Sequence, residues 1–145
     1  MLEHVVDPDR AAAGIHRVLK PQALVHAETP FMQQVREGAY AFTRLMFLGH
    51  RYLFRSFAVM DMGGIGGPEV VLSRALRYFL RALTRSRHIA RFAGLFFGVI
   101  LRPFAPLMSR ASMFDAANGV NFLGRKQPGH AMTHKELITL YKGQY

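Results

Sequence analysis

The chain has 145 residues, half of them apolar and a modest share charged, which suits one domain with a buried core and argues against a disordered polymer. It contains no cysteine, so disulfides and thiolate metal sites are excluded. The net charge is +10, and it is unevenly placed. Between Glu69 and Asp115 stand Arg74, Arg77, Arg81, Arg85, Arg87, Arg91, Arg102 and Arg110 without a single carboxylate. Such a field favours anionic partners, although solvated surface arginines read the same way.

Met1–Val6 is a short apolar stub, and Asp7-Pro8-Asp9 reads as a helix start. Asp7 can accept from free backbone N–H groups, Pro8 fits the first helical position, and Asp9 suits the positive end of the helix dipole. Ala11, Ile15, Val18 and Leu19 make an apolar face, and Lys20-Pro21 stops the helix. Residues 23–29 read as a buried strand closed by Pro30. A helix between two apolar strands makes a βαβ unit, so a parallel sheet is expected. Residues 31–43 read as a loop carrying Gln33, Gln34 and Tyr40. A short helix over 48–57 and a strand over 58–62 follow.

The cluster Gly63-Gly64-Ile65-Gly66-Gly67-Pro68 lies between that strand and a helix, where a dinucleotide loop would sit. It lacks the third glycine, has Glu69 where a phosphate would bind and no acidic residue about 20 positions on, so it reads as a flexible connection. Residues 69–87 form an amphipathic helix. Arg74, Arg77, Arg81 and Arg85 lie on one stripe, with Leu72, Ala75, Leu76, Phe79, Leu80 and Leu83 opposite. The apolar run over 92–101, bounded by Arg91 and Arg102 and broken by Pro103 and Pro106, is short of the roughly 20 residues that span a bilayer. Two readings of 69–102 stand side by side. One is an amphipathic element touching a membrane or covering a lipid-like acceptor. The other, preferred here, is a helical pair packed on the sheet with its arginines solvated. Residues 119–126 read as a last strand and 133–141 as a last helix, with Thr133 and Glu136 at capping-box spacing. His130 and His134 find no third ligand, so no metal site is expected.

The segment Leu2-Glu3-His4-Val5 with Asp7-Pro8, followed by Arg17-Val18-Leu19-Lys20-Pro21, resembles the fourth strand and following helix of class I S-adenosylmethionine-dependent methyltransferases of the small-molecule type. Phe42-Thr43-Arg44, Gly49-His50-Arg51 and Leu53-Phe54 resemble the stretch after that family's fifth strand in one bacterial branch. Gly119–Lys126 and Glu136-Leu137 with Tyr141-Lys142-Gly143 resemble its last strand and closing helix. The family's glycine pair after Lys-Pro is Gln22-Ala23 here.

The resemblance implies an α/β fold: a partial Rossmann-like methyltransferase sheet of about four strands, spanning 1–145 as one domain, with 69–114 as a helical insertion. It implies methyl transfer from S-adenosylmethionine to a small-molecule, glycan or lipid-linked acceptor. The glycine-rich cofactor turn has no counterpart in this sequence, so a truncated portion, inactive by itself and weak in cofactor binding, is expected. Leu2, Glu3 and His4 would border the cofactor, and His4 is also the candidate catalytic base, unless it merely packs at a strand end. Glu28, Thr29, Thr43, Arg44 and His50 would lie on the acceptor side. The alternative is a membrane-surface module using the arginine-rich helix. Nucleic acid is not favoured, because few aromatics interleave the arginines. Self-association through an uncovered sheet edge is expected, as is a cytoplasmic location peripheral to a membrane.

Overall fold

The computed structural model describes residues 2–35, 38–141 and 143. Helix α1 (Pro8–Val18) starts as its sequence dictates, with the Asp7 carboxylate accepting from Arg10 N–H at 2.9 Å. Leu19 leaves the helix for an extended conformation ahead of the Lys20-Pro21 step. Strand β1 (Leu24–Pro30) follows, then helix α2 (Phe47–Leu53) and strand β2 (Phe57–Ile65). Helices α3 (Pro68–Thr84) and α4 (Arg87–Leu101) form a hairpin, and α4 runs on as a 3-10 segment, Arg102–Leu107. A single turn, α5 (Ser112–Asp115), precedes strand β3 (Gly119–Lys126), and α6 (His134–Thr139) begins with the expected Thr133–Glu136 capping box.

The architecture is mixed α/β, with six α-helices and a three-stranded sheet among the described residues. The strand order is β1-β3-β2, and both hydrogen-bonded pairs are antiparallel. Two expectations are corrected here. Four strands are not seen, because Leu2–His4 coil into a 3-10 turn. With no neighbouring strand to take its N–H groups, this segment satisfies them locally, Val5 N–H donating to the Leu2 carbonyl. The parallel βαβ unit expected around α1 fails too, since Leu2–His4 forms no strand and β1 pairs antiparallel with β3. β1 and β2 nevertheless run parallel to each other, because each is antiparallel to β3.

One face of the sheet carries the core. Phe122, at the middle of β3, is fully buried and stacks on Phe54 with centroids 4.9 Å apart. Phe57, Leu53, Leu2 and Ala12 close the cluster, and Ile15, Leu19, Val25 and Ala27 pack against it. Gly124 is part of this arrangement, since a Cβ there would lie 2.5 Å from the Phe122 ring. Arg51 is buried beside it, its guanidinium donating to the carbonyls of Phe54 and Phe57 and lying 5.3 Å from the Phe122 ring centroid. The opposite face is polar: His26 and Glu28 lie 3.6 Å apart and are both exposed, and Asn121 donates to Asp61.

The glycine cluster is not a flexible connection. Gly63, Gly64 and Ile65 extend β2 and pair with Asn121, Val120 and Gly119. Gly64 is required by close approach, as a Cβ there would sit 2.6 Å from the Met113 carbonyl oxygen. The preferred placement of the helical pair is also corrected. α3 packs along α4 through small residues, with Ser73, Ala90 and Ala93 buried and Ser73 donating to the Gly94 carbonyl at 3.1 Å. Of the supposed core-facing stripe, Leu72, Ala75, Phe79 and Leu83 are exposed, while Leu76 and Leu80 are half-buried.

The turn after Lys20-Pro21 keeps a left-handed conformation without glycine: Gln22 has φ of 67°, with its N–H donating to the Lys126 carbonyl. A side chain is strained there, so Gln22→Gly is expected to raise unfolding free energy by about 0.5–1 kcal/mol in urea titration. Phe122→Ala is expected to lower it by about 3–5 kcal/mol in the same titration, a loss large enough to unfold a marginal domain.

Candidate functional site

The carboxyl ends of β1 and β2 and the start of β3 lie at one edge of the sheet. A cavity of about 340 Å³ opens there. Its walls include Glu3, His4, Glu28, Thr29, Gln34 and Arg44, with Asn118 and Gly119 from β3's entry. Three separate stretches of chain are drawn together to make it. Phe42 N–H and Thr43 N–H both donate to the Glu3 carbonyl, so the loop after β1 is tied to the turn at Leu2–His4. Phe31 N–H and Met32 N–H donate to the carbonyls of Asn118 and Ala117, which carries the β1–β3 ladder past Pro30.

His4 Nδ1 lies 2.7 Å from the Tyr40 carbonyl oxygen. A carbonyl can only accept, so Nδ1 carries the proton of the neutral ring and Nε2 is the basic nitrogen. The Glu3 carboxylate stands 3.5 Å from Nε2. Thr29 is buried, and its Oγ1 has no hydrogen-bond partner among the described residues; the same holds for Gln34 Oε1. Both residues border the cavity, and unpaired buried polar atoms cost free energy.

Of the residues that the sequence points to, Glu3, His4, Glu28, Thr29 and Arg44 meet at this cavity. Leu2 does not line it; its side chain is buried in the core cluster. Thr43 does not line it either; its N–H donates to the Glu3 carbonyl and the residue is half-buried. His50 lies elsewhere, fully buried, with its ring against Phe54 and Phe122. It belongs to the packing and not to an acceptor pocket. Gln34, Tyr40 and Asn118 complete the site, and no spacing rule joins them, because only the sheet's closure makes them neighbours.

A second cavity, of about 890 Å³, lies between α3, α4 and the 3-10 segment. Arg74, Arg77, Arg91 and Arg102 line it together with Glu69. Arg74 is fastened to the sheet by donating to Asn118 Oδ1 at 2.7 Å. The start of α3 offers nothing to a phosphate, since Glu69's own carboxylate accepts from Gly67 N–H at 3.2 Å. His134 packs on Tyr52, with ring centroids 5.1 Å apart. No group of three histidine, aspartate or glutamate side chains placed to hold a metal occurs among the described residues.

No protein-family model, curated protein or solved structure matches the chain.

Burial alone lowers the His50 pKa from 6.5 to about 4. The unfolded chain therefore takes up this proton near pH 6.5, and the folded chain only near pH 4. The stability involved is fully present above about pH 6.5 and is lost as pH falls toward 4, by about 2–3 kcal/mol. Urea unfolding followed from pH 7.5 down to 4.5 is expected to show that decline, and His50→Leu is expected to flatten it. Identical slopes in the two proteins would exclude His50 as its source.

Proposed function

We propose that the chain forms part of a Rossmann-like methyltransferase site, in which the cavity at the carboxyl edge of the sheet holds the acceptor beside S-adenosylmethionine. The observation that carries this reading is the meeting of Glu3, His4, Glu28, Thr29 and Arg44 in one cavity. Those residues come from the segments whose resemblance to class I methyltransferases implied cofactor and acceptor contacts. Two further features support it. β1 and β2 are parallel, with α2 between them in the chain, which is the crossover expected of a Rossmann-like half-sheet. Gln22 adopts a left-handed φ at the position where the family's motif has glycine.

The cavity's groups suit a cationic, hydroxyl-bearing cofactor. Glu3 and Glu28 supply carboxylate acceptors, while Thr29 Oγ1 and Gln34 Oε1 are buried without partners among the described residues. When bound, S-adenosylmethionine supplies an electrophilic methyl group on a sulfonium. The chain's own residues position and deprotonate the acceptor. His4 Nε2 takes the proton released from an acceptor hydroxyl or amine, and Glu3 steadies the resulting imidazolium. Arg44, on the same wall, pairs with a polar or anionic part of the acceptor and limits its orientation. The long insertion between β2 and β3 leaves room for a glycan or lipid-linked acceptor.

The test is an amide NMR titration of the folded chain with S-adenosylhomocysteine. Saturable shifts confined to Glu3, His4, Glu28 and Thr29 are expected, with Kd on the order of millimolar, since one cavity wall supplies few contacts. Glu28→Gln is expected to weaken binding about fivefold or more, as a charge-assisted hydrogen bond is lost. No shifts at saturating ligand, or shifts scattered away from this edge, would remove the cofactor from the reading.

A further inference from the structure

We propose that the α3–α4 hairpin is a docking element that lies in the surface of an anionic lipid bilayer, independently of whether the sheet edge transfers methyl groups. The first observation is apolar exposure. Phe92, Leu95, Phe96 and Val99 are 72, 71, 49 and 72% exposed. Their spacing places them along one side of α4, and Phe92 stacks on Phe96. The helical run Arg87–Leu107 is long and apolar enough to cross a membrane, yet only 11% of its most apolar stretch is buried. A soluble surface has no reason to keep so continuous a ridge uncovered.

The second observation is the charge that borders the ridge. Arg91 and Arg102 are separated by about three turns of helix and so fall on one line, beside Leu95. Both line the cavity between the helices, where Arg74 and Arg77 join them from α3. Glu69 shares that wall, and no further carboxylate occurs in the sequence before Asp115, so the cationic charge predominates. An apolar ridge with a one-sided cationic border is the pattern of a helix lying in the interface, with arginines at headgroup level and aromatics in the acyl boundary. A membrane-crossing arrangement would carry Arg77, Arg81 and Arg91 toward membrane depth, which is costly. An in-plane arrangement avoids that cost, since arginine stems can carry their guanidinium groups to headgroup level. Charge complementarity thus selects an anionic bilayer over an apolar protein groove.

The full chain is to be floated with phosphatidylcholine vesicles, with and without phosphatidylglycerol, at low and high sodium chloride. Binding is expected only where phosphatidylglycerol is present, and it is expected to fall as salt rises. The double variant Phe92→Ser, Val99→Ser alters exposed side chains only, so its circular dichroism is expected to match the parent. Its vesicle partition is expected to fall about tenfold or more. Arg91→Gln and Arg102→Gln are each expected to cost about fivefold on anionic vesicles and nothing on neutral ones. Three results would overturn the proposal. One is no binding to anionic vesicles. Another is equal, salt-insensitive binding to neutral ones. The third is self-association in the ultracentrifuge that Phe92→Ser, Val99→Ser abolishes while vesicle binding stays unchanged, which would make the ridge an interface between two copies.

Discussion

The insertion of β3 between β1 and β2 is the constraint on which the rest of this structure depends. Strands that begin at Leu24 and Phe57 do not touch until the segment from Gly119 to Lys126 enters between them and bonds to both. Phe122 then stands at the centre of the sheet, where it can stack on Phe54 and lie against His50 and Arg51. Burying that one ring contributes about 2–3 kcal/mol, but its larger effect is geometric. It fixes the register of a strand separated in sequence from both partners, because a slip by one residue would turn Phe122 to the polar face occupied by His26 and Asp61. Gly124 keeps the space for the ring, so the constraint is written into β3 itself.

The same insertion creates the candidate site. The entry of β3, Asn118 and Gly119, arrives beside Thr29 and Pro30 at the end of β1 and beside Ile65 at the end of β2. Strand ends leave backbone and side-chain polar groups without ladder partners, and here those groups surround a cavity. The turn at Leu2–His4 is then held in place by Phe42 and Thr43, whose N–H groups satisfy the Glu3 carbonyl. His4 is oriented in turn by Tyr40. The backbone of another segment therefore orients the His4 ring and sets its tautomer.

Much of the local structure was legible in the residues. Asp7-Pro8 started α1, Lys20-Pro21 stopped it, Thr133 and Glu136 capped α6, and residues 119–126 were a strand. These signals act within a few residues, so a single sequence carries them. The sheet's order was not legible, since pairing of β3 with two earlier strands is a long-range choice that spacing does not record. Met1–Val6 misled because apolar residues suit a strand only if a neighbour takes their N–H groups. Gly64 misled in the opposite way: it serves the close approach of Met113 and Ala117, not flexibility. Of the cavity's lining, Glu3, His4, Glu28, Thr29 and Arg44 are residues that the sequence singled out, while Gln34 and Asn118 carried no signal. His50 was assigned to the same site from its neighbourhood in the chain, yet one helical turn of α2 carries it into the core.

The helical hairpin shows how far an amphipathic pattern can be read without its partner. Arginines opposite leucines on α3 usually mean a core-facing helix, because in most soluble domains the sheet is what covers the apolar side. Here the sheet's polar face carries His26, Glu28, Asp61 and Arg125, which offers an apolar helix nothing to pack against. Small residues, Ser73, Ala90, Ala93 and Gly94, instead let α3 and α4 close on each other. The larger side chains are thereby turned outward. The hairpin's anchor to the domain is polar, with Arg74 bonded to Asn118 at the edge of the candidate site. That bond joins the two regions physically.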